Sequence, residues 1–492
     1  MVWIRLLEWV RIGFDALFVF PATPFPMRVS LPRSLLLSVA LAMAGPSLHP
    51  CTTAVVSGSA TPDGRPLLWK NRDTSSRENE VIYSDKAGAH AFVGVINKGA
   101  GTSSAIWMGA NAAGFCIENS VSSDLAVSGT SGPGNGTFMR QALEQCASVA
   151  EFEQFLQSTN GKRTTSANFG VIDRFGGAAI FETSPVAYTK FDANDPVVAP
   201  HGIVVRSNFA FTGQPAATVS SDAGISSIYS GGRFLRARNL FADRVAAGLP
   251  VTHEFILQHL ARDLADGNQN PVPGSINAVE GTLPELINAA STIGRATTVS
   301  AAVFRGVLPH EDPRLTTMWT LLGQPNFTVA VPVWPVAGNT STLLRGPQGS
   351  VLGALTISLR NRNFSAGSLL RGMHLPDIWG HNLPWEQQTF ATVEAALATW
   401  RSGAINTATM TSLHASVTAA AYDHLVALEQ AIQWPTPDDA PPLFHLWEFN
   451  DPAGTQMNAT ANAISPETVW SGTLPSSTTT GDGVFRVRRM GD

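Results

Sequence analysis

An Asp-Gly pair set between two apolar runs constrains this chain most tightly. Thr53-Ala54-Val55-Val56 leads into Pro62-Asp63-Gly64, and Leu67-Leu68-Trp69 follows. Asp-Gly between apolar stretches is a strong signal for a β-hairpin, because both residues tolerate the positive φ of a tight turn. The same texture continues through Val81-Ile82-Tyr83, Phe92-Val93-Gly94-Val95-Ile96 and Ile106-Trp107-Met108. The period then changes. Phe138, Ala142, Leu143 and Cys146 recur at helical spacing, and Ser148-Val149-Ala150-Glu151 forms a capping box for a second helix. Strands resume from Asn168 to Asp173, turn at Gly176-Gly177, and continue at Ala179–Glu182, Val186–Tyr188 and Ile203–Val205. Helices are expected over 232–246 and 253–265, a second β-rich stretch over 296–336, and a helical pair over 385–432. Strands, two helices, strands, helices, then strands predict sheets covered by helices on their outer faces, not a βαβ alternation.

The ends of the chain read differently. Met27 to Ala44 carries Arg28 and Arg33 ahead of an apolar stretch that closes on Ala42-Met43-Ala44. That is the form of a signal peptide, with Met27 as a candidate true start. Pro21, Pro24, Pro26 and Pro32 interrupt the apolar run and argue against a membrane anchor. The mature protein is therefore expected to be exported, periplasmic or secreted, without a stable membrane span. Residues 1–50 are taken as a leader, 51–433 as one folded catalytic domain, and 434–492 as a Pro-rich linker and a tail of unknown role. The tail is Ser/Thr/Gly-rich and is expected to be disordered. Apolar residues make up 44% of the 492 positions, enough for a sizeable core. The net charge of −5 gives no nucleic-acid footprint. Neither composition nor pattern fixes an oligomeric state.

Cys51 opens the first strand run, just past the leader. A cysteine exposed as a new N-terminus carries a thiol (pKa about 8.5) and a free α-amine (about 7.7–8.0). The amine can then act as base for its own nucleophile. Pro50 suits signal peptidase poorly, so release of Cys51 calls for self-cleavage or a second protease. Such a nucleophile needs a group to hold the amine, donors for the oxyanion and a cation near the thiol. Asp73 is a candidate for the first role, Asn119, Asn168 or Asn208 for the second, and Arg233 or Arg72 for the third. Of the other cysteines, Cys116 and Cys146 either pair or remain two buried thiols; we take the second reading. His253 and His259 are six residues apart and do not share a helix face, so they are not read as a zinc pair. There is no Gly-x-Ser-x-Gly elbow and no phosphate loop. No metal and no cofactor is expected.

These residues together resemble a known family. Cys51-Thr52-Thr53, the hairpin ending in Lys70-Asn71-Arg72-Asp73, and Asn111-Ala112-Ala113-Gly114-Phe115 leading to Asn119 are similar to the start of the choloylglycine-hydrolase and penicillin-acyltransferase superfamily of N-terminal-nucleophile (Ntn) hydrolases. Asn168 to Glu182 resembles its central hairpin. Val204-Val205-Arg206-Ser207-Asn208-Phe209 resembles its oxyanion-asparagine segment, and Gly232-Arg233-Phe234-Leu235-Arg236-Ala237 resembles its arginine-bearing helix. The resemblance implies an α+β, four-layer αββα sandwich. It implies that Cys51 is the nucleophile, that Asp73 binds the freed amine, that Asn208 with Asn119 builds the oxyanion hole, and that Arg233 lies near the thiolate. Asn168 is a further candidate for the oxyanion. The family commonly has arginine where this chain has Lys70, so either Lys70 or Arg72 supplies that charge. The implied reaction is cleavage of a linear, non-peptide amide through a thioester, on a small-molecule acyl-amide. An acyltransferase using the same thioester, and a non-catalytic periplasmic binding protein on the same fold, are the rival readings. Trp319, Phe327 and Trp334 are read as core packing rather than as an acyl pocket.

Overall fold

A computed structural model of the chain describes residues 51–432, apart from 337, 366 and 404. The expected leader and the linker and tail lie outside the described residues. Strands β1 (Cys51–Val56) and β2 (Leu67–Asp73) pair antiparallel with Thr53 opposite Lys70. The turn between them is longer than a two-residue hairpin and holds a 3-10 turn at Gly58–Ala60. Gly64 takes φ +75, and a Cβ on Gly58 would lie 2.2 Å from the Gly64 carbonyl oxygen, so both glycines are needed to close it.

One sheet contains seven antiparallel strands in chain order: β3 (Asn79–Ser84), β4 (Phe92–Asn97), β5 (Met108–Asn111), β6 (Cys116–Val121), β7 (Ala167–Ile172), β8 (Ala178–Thr183) and β9 (Tyr188–Asp192). The other has six strands. Here β10 (Ile203–Arg206) flanks β1, and β2 pairs with β12 (Thr298–Arg305), followed by β13 (Thr317–Leu322) and β14 (Val331–Val333). A separate ribbon joins β11 (Leu286–Asn288) to β15 (Leu369–Arg371). Helices α1 (Asn135–Gln145) and α2 (Val149–Ser158) seal the outside of the seven-stranded sheet, where Phe138, Phe152 and Leu156 meet Ile117, Phe169 and Phe181. Helix α3 (Gly231–Ala246) and the later helices cover the other sheet, where Leu235, Phe241 and Leu397 meet Ala54, Trp69 and Val303. Between the sheets lie Val55, Leu68, Val93, Cys116, Ile180 and Phe304. The architecture is the αββα sandwich of an α+β fold. With both faces covered, every residue of β1, β2, β7 and β8 is buried.

The capping box forms: Ser148 Oγ accepts from the Glu151 backbone N–H. Three elements depart from the sequence reading. The segment 253–265 is α-helical only at His253–Phe255 and continues as a π-turn at Ile256–Leu260. It ends on Arg262 and Asp263, whose buried ion pairs with Glu386 and Arg236 fasten it down. Helix α4 (Val351–Asn363) was not anticipated. Its buried face is Leu352, Gly353, Thr356, Leu359, Arg360 and Asn363, so half of the inward stripe is not apolar and no 3.6-residue hydrophobic period is visible. Helix α5 (Leu375–Ser402) begins before the expected 385, because it runs through Pro384, a residue that normally ends a helix. Helix α6 (Thr407–Ala431) completes the helical pair. Among the described residues, no helix is long and apolar enough to cross a membrane.

Candidate active site

Cys51 is the first residue of β1 and is 4% exposed. Three elements converge on it. The end of β2 brings Asp73 alongside, and the Asp73 backbone N–H hydrogen-bonds the Cys51 thiol. The loop after β10 brings Asn208, whose Oδ1 accepts from the Cys51 backbone nitrogen at 2.5 Å. The start of α3 brings Arg233, which donates to the Cys51 carbonyl at 2.7 Å, to Thr52 Oγ1 at 2.9 Å and to Asn208 Oδ1 at 3.0 Å. Two donors on Asn208 Oδ1 fix the orientation of its amide, so Nδ2 faces the other way and donates to the Val121 carbonyl at 2.9 Å.

Local sequence explains how Arg233 arrives. A Cβ on Gly231 would lie 1.7 Å from the Ile225 carbonyl oxygen, and one on Gly232 would lie 2.6 Å from that of Gly267. Only glycines permit the helix to start this deep in the protein. Ser230, just before them, sits at φ +68, and its hydroxyl accepts from the Asn208 backbone N–H at 2.8 Å. A non-glycine residue in the left-handed region next to a reactive centre is where strain is expected to be kept.

Asp73 is fully buried. Its Oδ1 accepts from the Thr298 hydroxyl at 2.6 Å, and its Oδ2 lies 3.9 Å from Arg233. Burial raises its pKa to about 6, against the opposing pull of Arg233, Arg295 and the Thr298 hydrogen bond. Burial also pushes the Cys51 thiol up, and the strongest opposing influence is Lys70.

Lys70 and Arg72 separate cleanly. The buried Lys70 ammonium donates to the Trp107 carbonyl and to Asn119 Oδ1, both at 2.8 Å. Holding Oδ1 turns the amide nitrogen of Asn119 away from the lysine. Arg72 instead binds Asn79 Oδ1 and Asn97 Oδ1 and lies 4.7 Å over the Trp107 ring. Of the two cations, Lys70 acts more strongly on the thiol. A lysine as a point charge thus stands where a planar fork was expected.

Asn168 does not serve as an open donor. Its Nδ2 binds Ser120 Oγ and the carbonyls of Ser207 and Phe209, at 3.0–3.1 Å. It braces the Asn208 loop against β6 and β7. Trp319, Phe327 and Trp334 are core residues, with Trp319 stacked on His253 at 5.5 Å. His259 Nδ1 is 3.0 Å from Asn277. Cys116 and Cys146 are both buried, unbridged thiols. Sequence reasoning missed Thr298 and Ser230, which are ordinary hydroxyl residues without a pattern. It also missed Glu118, beside Asn119 in the chain. The Glu118 carboxyl is fully buried and raised by burial to about 8, with Lys70 the main opposing charge.

Residues 59–199 match the family model for acyl-coenzyme A:6-aminopenicillanic acid acyl-transferase. The matched stretch holds Lys70, Asp73, Asn119 and Asn168, while Cys51, Asn208 and Arg233 lie outside it. Similar solved structures include a conjugated bile acid hydrolase from Clostridium perfringens, at 13% identity and TM-score 0.36, over 58% of this chain and 92% of that one. A Caenorhabditis elegans N-acylethanolamine-hydrolyzing acid amidase ortholog matches at 12% identity and TM-score 0.33, over 53% and 94%. Penicillin V acylase from Agrobacterium tumefaciens matches at 14% and 0.32, over 58% and 85%. No curated protein matches the chain by sequence.

Proposed function

We propose that this chain is an exported amide hydrolase whose nucleophile is Cys51, freed as an N-terminal residue by cleavage of the 50–51 peptide bond. The observation that carries the reading is the convergence of Asn208, Arg233 and Asp73, from three separate elements, on the first residue of β1. No packing need explains why the backbone of one strand-initial cysteine should hold an asparagine and an arginine that also bind each other.

In this reading the Cys51 sulfur attacks the amide carbonyl carbon and its proton passes to the α-amine. The oxyanion is met by the side-chain N–H group of Asn119; Asn208, expected to share that role, spends its Nδ2 on the Val121 carbonyl and turns its oxygen to Cys51 instead. The C–N bond then breaks, the proton leaves with the amine, and a thioester remains. Water attacks the thioester and releases the acid and the thiol. Asp73 and Asn208 hold the amine, Arg233 anchors the Cys51 carbonyl, and Lys70 offsets the cost of a buried thiolate. The family match, to a model described as an acyltransferase, supports a second reading in which an amine replaces water as the acceptor.

Intact mass and N-terminal sequencing of the exported protein test the first step. A chain starting at Cys51 is expected. A chain starting near Gly45, with the 50–51 bond whole and amides untouched, overturns the hydrolase and favours a binding protein. Partitioning of the acyl group between water and added amines separates hydrolase from transferase.

A further inference from the structure

The loop after β10 continues a strand of the six-stranded sheet, yet side chains of the other sheet fasten it. Ser120, Asn168 and Glu182 stand opposite one another in the register of β6, β7 and β8. Cross-strand partners share a face, so the three form one polar row, and all of them are buried. Ser120 Oγ donates to the Ser207 carbonyl at 2.6 Å, and Asn168 Nδ2 donates to the carbonyls of Ser207 and Phe209, both at 3.0 Å. Glu182 takes the next stretch of loop. Its Oε1 accepts from the Phe211 backbone N–H at 2.9 Å, and its Oε2 accepts from the Thr212 backbone N–H at 2.8 Å and the Thr212 hydroxyl at 2.6 Å. The loop thus follows the row from Ser120 to Glu182, and Asn208 lies within the fastened stretch.

Glu182 is more than a counter-ion. Arg206 Nε donates to its Oε1 at 2.7 Å, but both donors on Oε2 come from the loop. A second carboxylate works beside it. Asp124, in the 3-10 turn after β6, accepts from the Ala210 backbone N–H at 2.8 Å. A Cβ on Gly213 would lie 2.5 Å from Asp124 Oδ2, so the loop passes this carboxylate too closely for a side chain. Three consecutive backbone N–H groups, at 210–212, therefore end on two carboxylates. Hydrogen bonds to an ionised acceptor are roughly twice as strong as neutral ones. Within this stretch Asn208 Oδ1 meets the Cys51 nitrogen at 2.5 Å, while Nδ2 meets the Val121 carbonyl at 2.9 Å. With backbone groups held on both sides of it, at Ser207 and at Phe209 to Thr212, Asn208 has little room to shift.

We propose that Glu182 is a positioning residue for the nucleophile: by holding Phe211 and Thr212 it fixes the point at which Asn208 Oδ1 meets the nitrogen of Cys51. The inference rests on the reading of Cys51 as an N-terminal nucleophile. Glu182 touches neither Cys51 nor substrate in this role. It acts through the loop and through Asn208.

The test is a double-mutant cycle of Glu182→Gln with Asn208→Ala on amide turnover. Glu182→Gln alone should lower kcat about tenfold with KM within about twofold, the mark of a displaced reacting group rather than a lost contact with substrate. The acid limb of kcat/KM should move down by about half a pH unit, because a slackened Asn208 no longer favours the protonated amine. In Asn208→Ala the same substitution should change kcat less than about twofold, since its effect passes through a side chain already removed. An equal loss in both backgrounds, or wild-type kcat and pH limb in Glu182→Gln, overturns the assignment. If Glu182→Gln does not fold, Thr212→Val carries the cycle. It removes only an exposed residue's hydroxyl from Oε2 and leaves Arg206 paired. It should cost about threefold in kcat, and nothing in Asn208→Ala. If the wild type cleaves no amide, the hydrolase reading fails by itself, and the pH dependence of Cys51 alkylation by iodoacetamide, read on the Cys51 peptide, replaces turnover in the cycle. A shift in Glu182→Gln that vanishes in Asn208→Ala supports the positioning role; no shift, or the same shift in both backgrounds, overturns it.

Discussion

The layer between the two sheets has two ends built from the same strands. At one end the inward residues are Val55, Leu68, Cys116, Ile172 and Phe304, all apolar and almost fully buried. Two to four residues along the same strands lie Cys51, Thr53, Lys70, Arg72, Glu118, Ser120 and Asn168, which are polar and equally buried. Period-2 alternation sends both sets into one layer, so the sheets cannot tell them apart. The two thiols make the contrast plain. Cys116 is pushed well above its ordinary pKa by burial, and the charge of Asp173 pushes the same way. Cys51 is also raised by burial and by the Asp73 carboxylate, but Lys70, the Asp73 backbone N–H and Arg72 pull it back. Burial alone makes an inert cysteine. A nucleophile needs the cations and donors that only one end of this layer supplies.

The sharpest way to break that comparison is to remove each thiol in turn. Cys51→Ala should reduce amide turnover to below about one-thousandth of wild type, as loss of a nucleophile does. Cys116→Ala should leave turnover within about twofold, since only packing changes. Equal losses would mean that Cys51 is no more special than Cys116. Lys70→Met removes the cation that acts most strongly on the thiol and releases Asn119; kcat should fall about a hundredfold, the cost of a misplaced oxyanion donor. A melting temperature that falls with it would instead assign Lys70 to structure, and partial recovery in Lys70→Arg would argue for its charge.

A smaller effect concerns the polar end as a cost to stability. The folded pKa of Glu118, about 8, lies above its unfolded value. The stability it contributes is therefore complete below about pH 4.3 and is lost as pH rises towards the folded pKa. Glu118→Gln cannot ionise, so its melting temperature should gain on that of wild type across this range. A difference independent of pH would show that the carboxyl is not desolvated. The smallest effect is expected from Thr298→Val. Losing the hydroxyl that donates to Asp73 disfavours the ionised carboxylate, whose pKa is about 6. The acid limb of kcat/KM should move up by about half to one pH unit. No movement would remove Asp73 from the ionisations that control activity.

Much of the strand order was legible because turns and period-2 runs are local signals. The helix α4 was not, since its inward face contains Gly353, Thr356, Arg360 and Asn363. The site was legible in part. The order of Cys51, Asp73, Asn119, Asn208 and Arg233 along the chain matched a pattern, and the structure brings Asp73, Asn208 and Arg233 to Cys51. Asn168 was indistinguishable from Asn208 by residue type. What separates them is how their donors are spent, on three backbone and hydroxyl acceptors in one case and on one in the other.

By itself, then, the sequence determined most of the strands, where the tight turns fall, and which residues have chemistry to offer, because these follow from local sterics and side-chain type. The tertiary structure decided which of the buried thiols meets cations, and whether Lys70 or Arg72 acts more strongly on Cys51. Those outcomes depend on contacts between residues up to two hundred or more positions apart, such as Thr298 on Asp73 and Arg233 on Cys51. Electrostatics in a desolvated layer is set by such neighbours and by burial, and no local stretch of chain encodes either.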